Sequence, residues 1–287
     1  MKRKTHKWHI ATALIVCSIL FILQHCVFQV LESRGARLVS PIFQDITMIR
    51  LQRLHKLQGD AIILGSSITE RLMASPETAV LGVPGSSFTA GLKLLAKNTG
   101  DSFPADTTYI LEVNNLFSGI NQAVLNDADA WDFHFFKDSR HFSIAAKPTN
   151  LLLSCIYYLK KTEYAQTSIP LPDTPVLQPT NLEQTSLPTH QELAQWKDVL
   201  EGIADIKRQG GRICFVQFPS RDAHMFDTSF VNACKLAKHL QIPVLNYNTE
   251  EWRNRLMFTD SHHLDSKQAS TGIFRETIAR DAKVYAR

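Results

Sequence analysis

Along the chain, short unbroken apolar runs alternate with longer stretches in which apolar residues recur every three or four positions. The first run, Ala61 to Leu64, predicts a buried strand followed by a helix from about Ile68. Ala79 to Val83 predicts a second strand, with a helix from about Phe88 to Lys97, and Thr107 to Val113 predicts a third strand. The periodic stretch Gln191 to Arg208 predicts a long helix. Arg212 to Phe218 follows as a fourth strand, Val244 to Asn246 as a fifth, and Lys267 to Val284 as a closing helix. Runs apolar on both faces and separated by helices make a parallel sheet covered on both sides. Ligands of such sheets bind beyond the carboxyl ends of the strands.

Two stretches break the alternation. The first is the continuous apolar segment Ile10 to Leu23, which resumes at Cys26-Val27-Phe28 and ends near Leu31. A bilayer needs roughly 20 mostly apolar residues, and Trp8 to Leu31 supplies them only by including Gln24, His25 and Gln29. No small-x-small cleavage site follows soon after Leu23, and neither Cys17 nor Cys26 follows a small residue as a lipoprotein signal requires. Residues 8–31 therefore predict an uncleaved transmembrane signal anchor, with a cleaved signal peptide as the other reading and a buried soluble helix as a third. Lys2, Arg3, Lys4 and Lys7 precede it, which keeps a tail of residues 1–7 in the cytoplasm and carries everything after about residue 35 across the membrane. Residues 32–59 read as a connector and 60–287 as the main domain.

The second break is an inserted region at about 126–189, too long for a simple connection. It holds the aromatic residues Trp131, Phe133, Phe135, Phe136 and Phe142, an apolar helix candidate from Leu151 to Tyr158, and five prolines between Pro170 and Pro188. Three readings stand: a surface excursion packed by its own aromatics, a substrate-facing lid, or a flap resting on the membrane.

Composition narrows the classes. The 287 residues are 44% hydrophobic and 20% charged, enough for one large core or two small ones. The net charge of +4 comes from the four basic residues of the N-terminal tail, so the remainder is balanced and a phosphate-tracking surface for nucleic acid is not expected. Cys155, Cys214 and Cys234, the cysteines outside the membrane segment, have no CxxC spacing for zinc or redox work. A glycine-rich phosphate loop is absent.

Chemistry concentrates in two segments about two hundred residues apart. Gly65-Ser66-Ser67-Ile68-Thr69 puts a serine where a strand ends and a helix begins, and Asp260-Ser261-His262-His263 puts a carboxylate three residues before a histidine. A serine hydroxyl is a poor nucleophile at neutral pH and needs a base in reach and an acid to orient that base, so the two segments together supply a serine hydrolase set. Plainer readings accompany each. Ser67 to Glu70 also fits a helix capping box, Gly85-Ser86-Ser87 is a rival serine site, and Asn114-Asn115 fits a turn. Asp222, His224, Asp260, His262 and His263 offer metal ligand types, without an HExxH or a cysteine pair to support zinc.

In order along the chain, these segments resemble the blocks of the SGNH (GDSL-type) hydrolases over roughly residues 60 to 280. Gly65-Ser66-Ser67-Ile68-Thr69 is similar to the nucleophile block, which makes Ser67 the nucleophile by resemblance. Leu81-Gly82-Val83-Pro84-Gly85 resembles the glycine block and puts the Gly85 amide on the oxyanion; Glu112-Val113-Asn114-Asn115 resembles the third block and puts the Asn114 side chain there, beside the amide of Ser67. Asp260-Ser261-His262-His263-Leu264 resembles the Asp-x-x-His-Leu block, with His263 as base and Asp260 as its partner. The resemblance implies a three-layer α/β/α domain with a parallel five-stranded sheet of SGNH or flavodoxin-like kind, after one N-terminal transmembrane helix. It implies no cofactor and no metal.

This chain departs from the family pattern at three positions. Ser66 stands for the usual aspartate of the first block, and Glu112 and Asn115 stand for the glycine and aspartate of the third. Such Gly-Ser-Ser and Glu-x-Asn variants resemble a membrane-anchored branch that acts on cell-envelope polymers. The expected function is that of an extracytoplasmic serine esterase or O-acyltransferase acting on an acylated glycan or small ester, with a membrane-bound acyltransferase as possible partner and no nucleic acid. The alternative is a non-catalytic binding or scaffolding module of the same fold.

Overall fold

The structure, a computed structural model, describes residues 2–33, 48–49, 51, 60–72, 75, 77–99, 103–119, 146–159, 176–266 and 268–286. The aromatic cluster from Trp131 to Phe142, the prolines from Pro170 to Pro175 and most of the connector lie outside the described residues. The chain divides into two compact units, one of residues 1–49 with 139–163 and the other of residues 50–138 with 164–287.

In the larger unit, five parallel strands form one sheet: β1 (Ala61–Gly65), β2 (Thr78–Gly82), β3 (Thr108–Glu112), β4 (Arg212–Gln217) and β5 (Val244–Asn246), in the order β2-β1-β3-β4-β5. The first four are almost wholly buried, which is why they read as unbroken apolar runs. Side chains alternate between the two faces. Ile63, Ile110, Cys214, Val216 and Leu245 share a core with Phe274, Ile278 and Ala282 of the closing helix. Neighbouring strand positions on the other face meet different helices; Phe215 lies with its ring 6.2 Å from Phe88. Each fully buried Leu, Ile or Phe contributes about 1.5–3 kcal/mol.

The helices are α1 (Lys2–Ser33), α2 (Ser67–Glu70), α3 (Phe88–Thr99), α4 (Pro148–Leu159), α5 (His190–Gln195), α6 (Lys197–Arg208), α7 (Asp227–Leu240), α8 (Glu250–Arg255) and α9 (Ala269–Tyr285). Helices α3 and α6 pack together on one side of the sheet, and α9 crosses β1, β3 and β4 on the other. The helix expected over Gln191 to Arg208 is broken at Trp196, whose backbone leaves the helical region and whose ring stacks on Phe117 at 4.8 Å. Helices α7 and α8 add to the elements expected from the sequence.

The smaller unit holds α1 and α4, which lie against each other. Within α1, Ile10–Leu31 is long and apolar enough to cross a membrane: 22 residues rise about 33 Å. Helix α4, from the inserted region, thus groups with the N-terminal helix.

Candidate functional site

The sheet order reverses direction between β1 and β3, the place where doubly wound sheets open a crevice at their carboxyl ends. Ser66 and Ser67 leave β1 at that point. Ser66 is the N-cap of α2, its hydroxyl accepting from the Ile68 amide at 3.2 Å. Capping therefore falls to Ser66, and Ser67, the first helical residue, keeps its own hydroxyl for another partner. That partner is His263: its Nε2 lies 2.9 Å from Ser67 Oγ. On the far side of the ring, Nδ1 is 2.6 Å from Asp260 Oδ2.

Local folding explains how a loop residue near the C-terminus is aimed so closely. Asp260 Oδ1 accepts from the amides of His262 and His263 at 2.9 and 2.8 Å, winding residues 260–263 into a tight turn around the carboxylate. The Thr259 amide donates to the His263 carbonyl at 2.8 Å, and the Arg221 amide after β4 donates to the Ser261 carbonyl at 2.8 Å, which fixes the turn to the sheet. Leu264 and Ile68, the residues after His263 and Ser67, are both fully buried in one core. Ser67 and His263 are thus each anchored by the next residue in the chain. Ser67 and His263 are half-buried and Asp260 is exposed, so the group is open to a substrate.

The site's electrostatics follow from these contacts. Burial opposes ionisation of Asp260, but the two amides and the His263 imidazole outweigh it and hold the carboxyl well below the usual range. Partial burial lowers the His262 imidazole, helped by the neighbouring His263. His262 packs edge-on to Phe226 with ring centres 6.1 Å apart.

Beneath Ser67 lies a carboxylate that the sequence marked only as a departure from the family pattern. Glu112, at the end of β3, is buried and accepts from the Ser66 amide (2.8 Å), the Ser66 hydroxyl (2.9 Å), the Thr69 hydroxyl (2.7 Å) and the Thr69 amide (3.3 Å). Burial pushes its carboxyl above the ordinary range, while the four donors pull it back. Gly65 is what allows this approach: a Cβ there would sit 2.4 Å from Glu112 Oε2 and 2.2 Å from Thr69 Oγ1. The Ser66 and Glu112 departures are thus two halves of one contact. The carboxylate that holds the loop after β1 therefore comes from the end of β3. An acid closing an otherwise apolar strand was the signal for it.

The other expected site residues take varied positions. Gly85 is exposed in the turn after β2, at φ 71°, with the Ser86 amide donating back to the Val83 carbonyl at 3.1 Å. Asn114 is buried and pairs twice with the backbone of Phe218, accepting from its amide at 2.7 Å and donating to its carbonyl at 2.9 Å. That stitch joins the ends of β3 and β4 and leaves one carboxamide hydrogen for any other acceptor. Asn115, half-buried, donates to the Ser66 hydroxyl at 3.1 Å. Ser87 is buried at the start of α3, where its hydroxyl caps the helix by accepting from the Thr89 amide at 3.3 Å and pairs with the Thr89 hydroxyl at 2.6 Å.

Asp260, His262 and His263 bring ligand atoms within 4.8 Å of one another. Both ring nitrogens of His263 face Asp260 and Ser67, and His262 Nδ1 faces the Ser261 hydroxyl at 2.9 Å. His224 pairs instead with Asp227 at 2.8 Å. A separate cavity of about 410 Å³, lined by residues including Leu177, Tyr247, Trp252 and Asp281, shares no residue with the Ser67 group. Comparison with protein-family models, with curated proteins and with solved structures found no match.

Proposed function

We propose that the protein is a membrane-anchored serine esterase or O-acyltransferase, working on O-linked acyl groups of a cell-envelope glycan outside the cytoplasm. The observation that carries this reading is the run of contacts from Ser67 through His263 to Asp260, at 2.9 and 2.6 Å. In the proposed reaction Ser67 Oγ attacks the ester carbonyl carbon and passes its proton to His263 Nε2. The amides of Ser67 and Gly85 and the side chain of Asn114 receive the oxyanion. Collapse expels the leaving alcohol, which takes the proton from His263. Water then releases the acyl group from Ser67 as an acid, or a glycan hydroxyl receives it as a new ester.

The resemblance to SGNH hydrolases supports the ester bond as target, and the Gly-Ser-Ser block supports the membrane-anchored, glycan-directed branch. The apolar helix Ile10–Leu31 behind four basic residues supports an anchor with the sheet domain across the membrane. A fluorophosphonate probe tests the chemistry. Wild type is expected to label covalently, while Ser67→Ala of equal thermal stability does not. Labelling that survives Ser67→Ala, or a wild type that never labels, removes the catalytic reading.

A further inference from the structure

Helix α4 is built inside out for a helix in water. Counting from Ala146, whose carbonyl accepts from Gln24 Nε2 of α1, every fourth residue is Asn150 and then Ser154. Both are fully buried, and the Ser154 hydroxyl turns back on the Asn150 carbonyl at 2.7 Å. The opposite face carries Leu152 and Leu159, 65% and 77% exposed, with Ile156 between them. A surface helix of a soluble domain buries its apolar stripe and turns its polar residues to solvent. In a bilayer the order reverses, with small and polar side chains at the helix contact and apolar ones toward lipid.

Two further observations agree. Phe28 and Leu31 are buried and Gln24 and His25 half-buried, while residues 10–23 are exposed, so the sheltered end of α1 is the end that holds Gln24. Gln24 is one of the polar residues that weaken Trp8 to Leu31 as a lone span, and the Ala146 carbonyl, two residues before α4, is its acceptor. Twelve residues rise only about 18 Å, too short for a hydrocarbon core of about 30 Å.

We propose that α4 is a second membrane-embedded helix, which enters one leaflet beside residues 24–31 of α1 and turns Leu152, Ile156 and Leu159 to the acyl chains. The α1–α4 contact then belongs to the mature protein, and α1 is an anchor and not a discarded leader. This rests on the anchored part of the proposed function and is independent of its chemistry.

The test uses the full chain in phosphatidylcholine–phosphatidylglycerol vesicles. In a background with the five native cysteines replaced by alanine, Leu152→Cys and Ile156→Cys are compared with Glu201→Cys on the exposed side of α6. The α4 positions are expected to react at least tenfold more slowly with a water-soluble maleimide and, once tagged with a fluorophore, to be quenched severalfold more by nitroxide lipid. Reaction at the Glu201→Cys rate overturns the proposal; so does protection without lipid quenching, since protein then covers the face. On the unmodified chain, a photoactivatable lipid should label the peptide 148–159 as well as α1, and labelling confined to α1 overturns it too. Loss of the protein from vesicles in a carbonate wash would instead defeat the anchor reading on which the proposal stands.

Discussion

Replacing Glu112 with glutamine changes one heavy atom and removes a charge acceptor from beneath Ser67. The Ser66 hydroxyl already accepts from the Ile68 amide at 3.2 Å and from Asn115 Nδ2 at 3.1 Å, so its lone pairs are taken and its proton has to go to Glu112. In Glu112→Gln one side of the carboxylate becomes an NH2 donor facing other donors. At least one buried donor is then orphaned, at a cost of about 1–3 kcal/mol. For a domain of this size about 1 kcal/mol moves Tm by 2–4 °C, so the expected fall is roughly 2–12 °C. The loop that aims Ser67 loosens as well, and small misplacement of a reacting atom is costly, so probe labelling should slow by about tenfold or more. The informative control moves the carboxylate back to β1. Ser66→Asp combined with Glu112→Gly should be more stable than the two single changes predict, with a coupling of about 1 kcal/mol or more. Thermal melts and fluorophosphonate labelling rates read both quantities. A Glu112→Gln protein that melts and labels like wild type, or a double variant that is merely additive, would refute the reasoning.

Two other substitutions separate structure from chemistry. Asn114→Ala orphans the amide and carbonyl of Phe218 and should cost about 1–3 kcal/mol, whereas Asn115→Ala, losing one half-buried donor to Ser66, should cost less. Per folded molecule, labelling of Asn114→Ala should slow by about a hundredfold; an unchanged rate would confine Asn114 to the strand stitch and send the oxyanion elsewhere. Asp260 is held below its ordinary value near about 4, so its ionised contacts stabilise the fold above that pH and are lost as pH falls through the folded-state value. The Tm difference between wild type and Asp260→Asn should therefore shrink as pH drops below about 4, and a difference independent of pH would contradict that assignment.

The parallel strands were legible because burial on both faces leaves an unbroken apolar run, as in Ala61 to Leu64 and Arg212 to Phe218. The division of the 191–208 helix at Trp196 was hidden, since the periodicity runs on through that residue and its ring partner, Phe117, is far away in sequence. Helix α7 left a trace in Phe226, Phe230, Ala233, Cys234 and Ala237, spaced by threes and fours, but its many polar residues diluted it. At the site, residue types and strand ends pointed to Ser67, Asp260 and His263. Which of two adjacent serines caps the helix, and what Glu112 does, depended on pairing between β1 and β3, and no local pattern encodes a partner on another strand. Asn114 shows the same limit, for its backbone partner is 104 residues away.

The contact between Ser67 and His263 spans 196 residues of chain. A polypeptide made from its N-terminus therefore contains the serine long before the histidine exists, and the interval contains nearly the whole sheet. Until β5 and the turn at residues 260–263 have arrived, the serine is an ordinary alcohol beside an unfinished fold. Biosynthesis thus acts as a time lock on the site. Any chain that ends before residue 263 carries Ser67 without the imidazole that the complete fold sets beside it, whatever else of the fold it has formed.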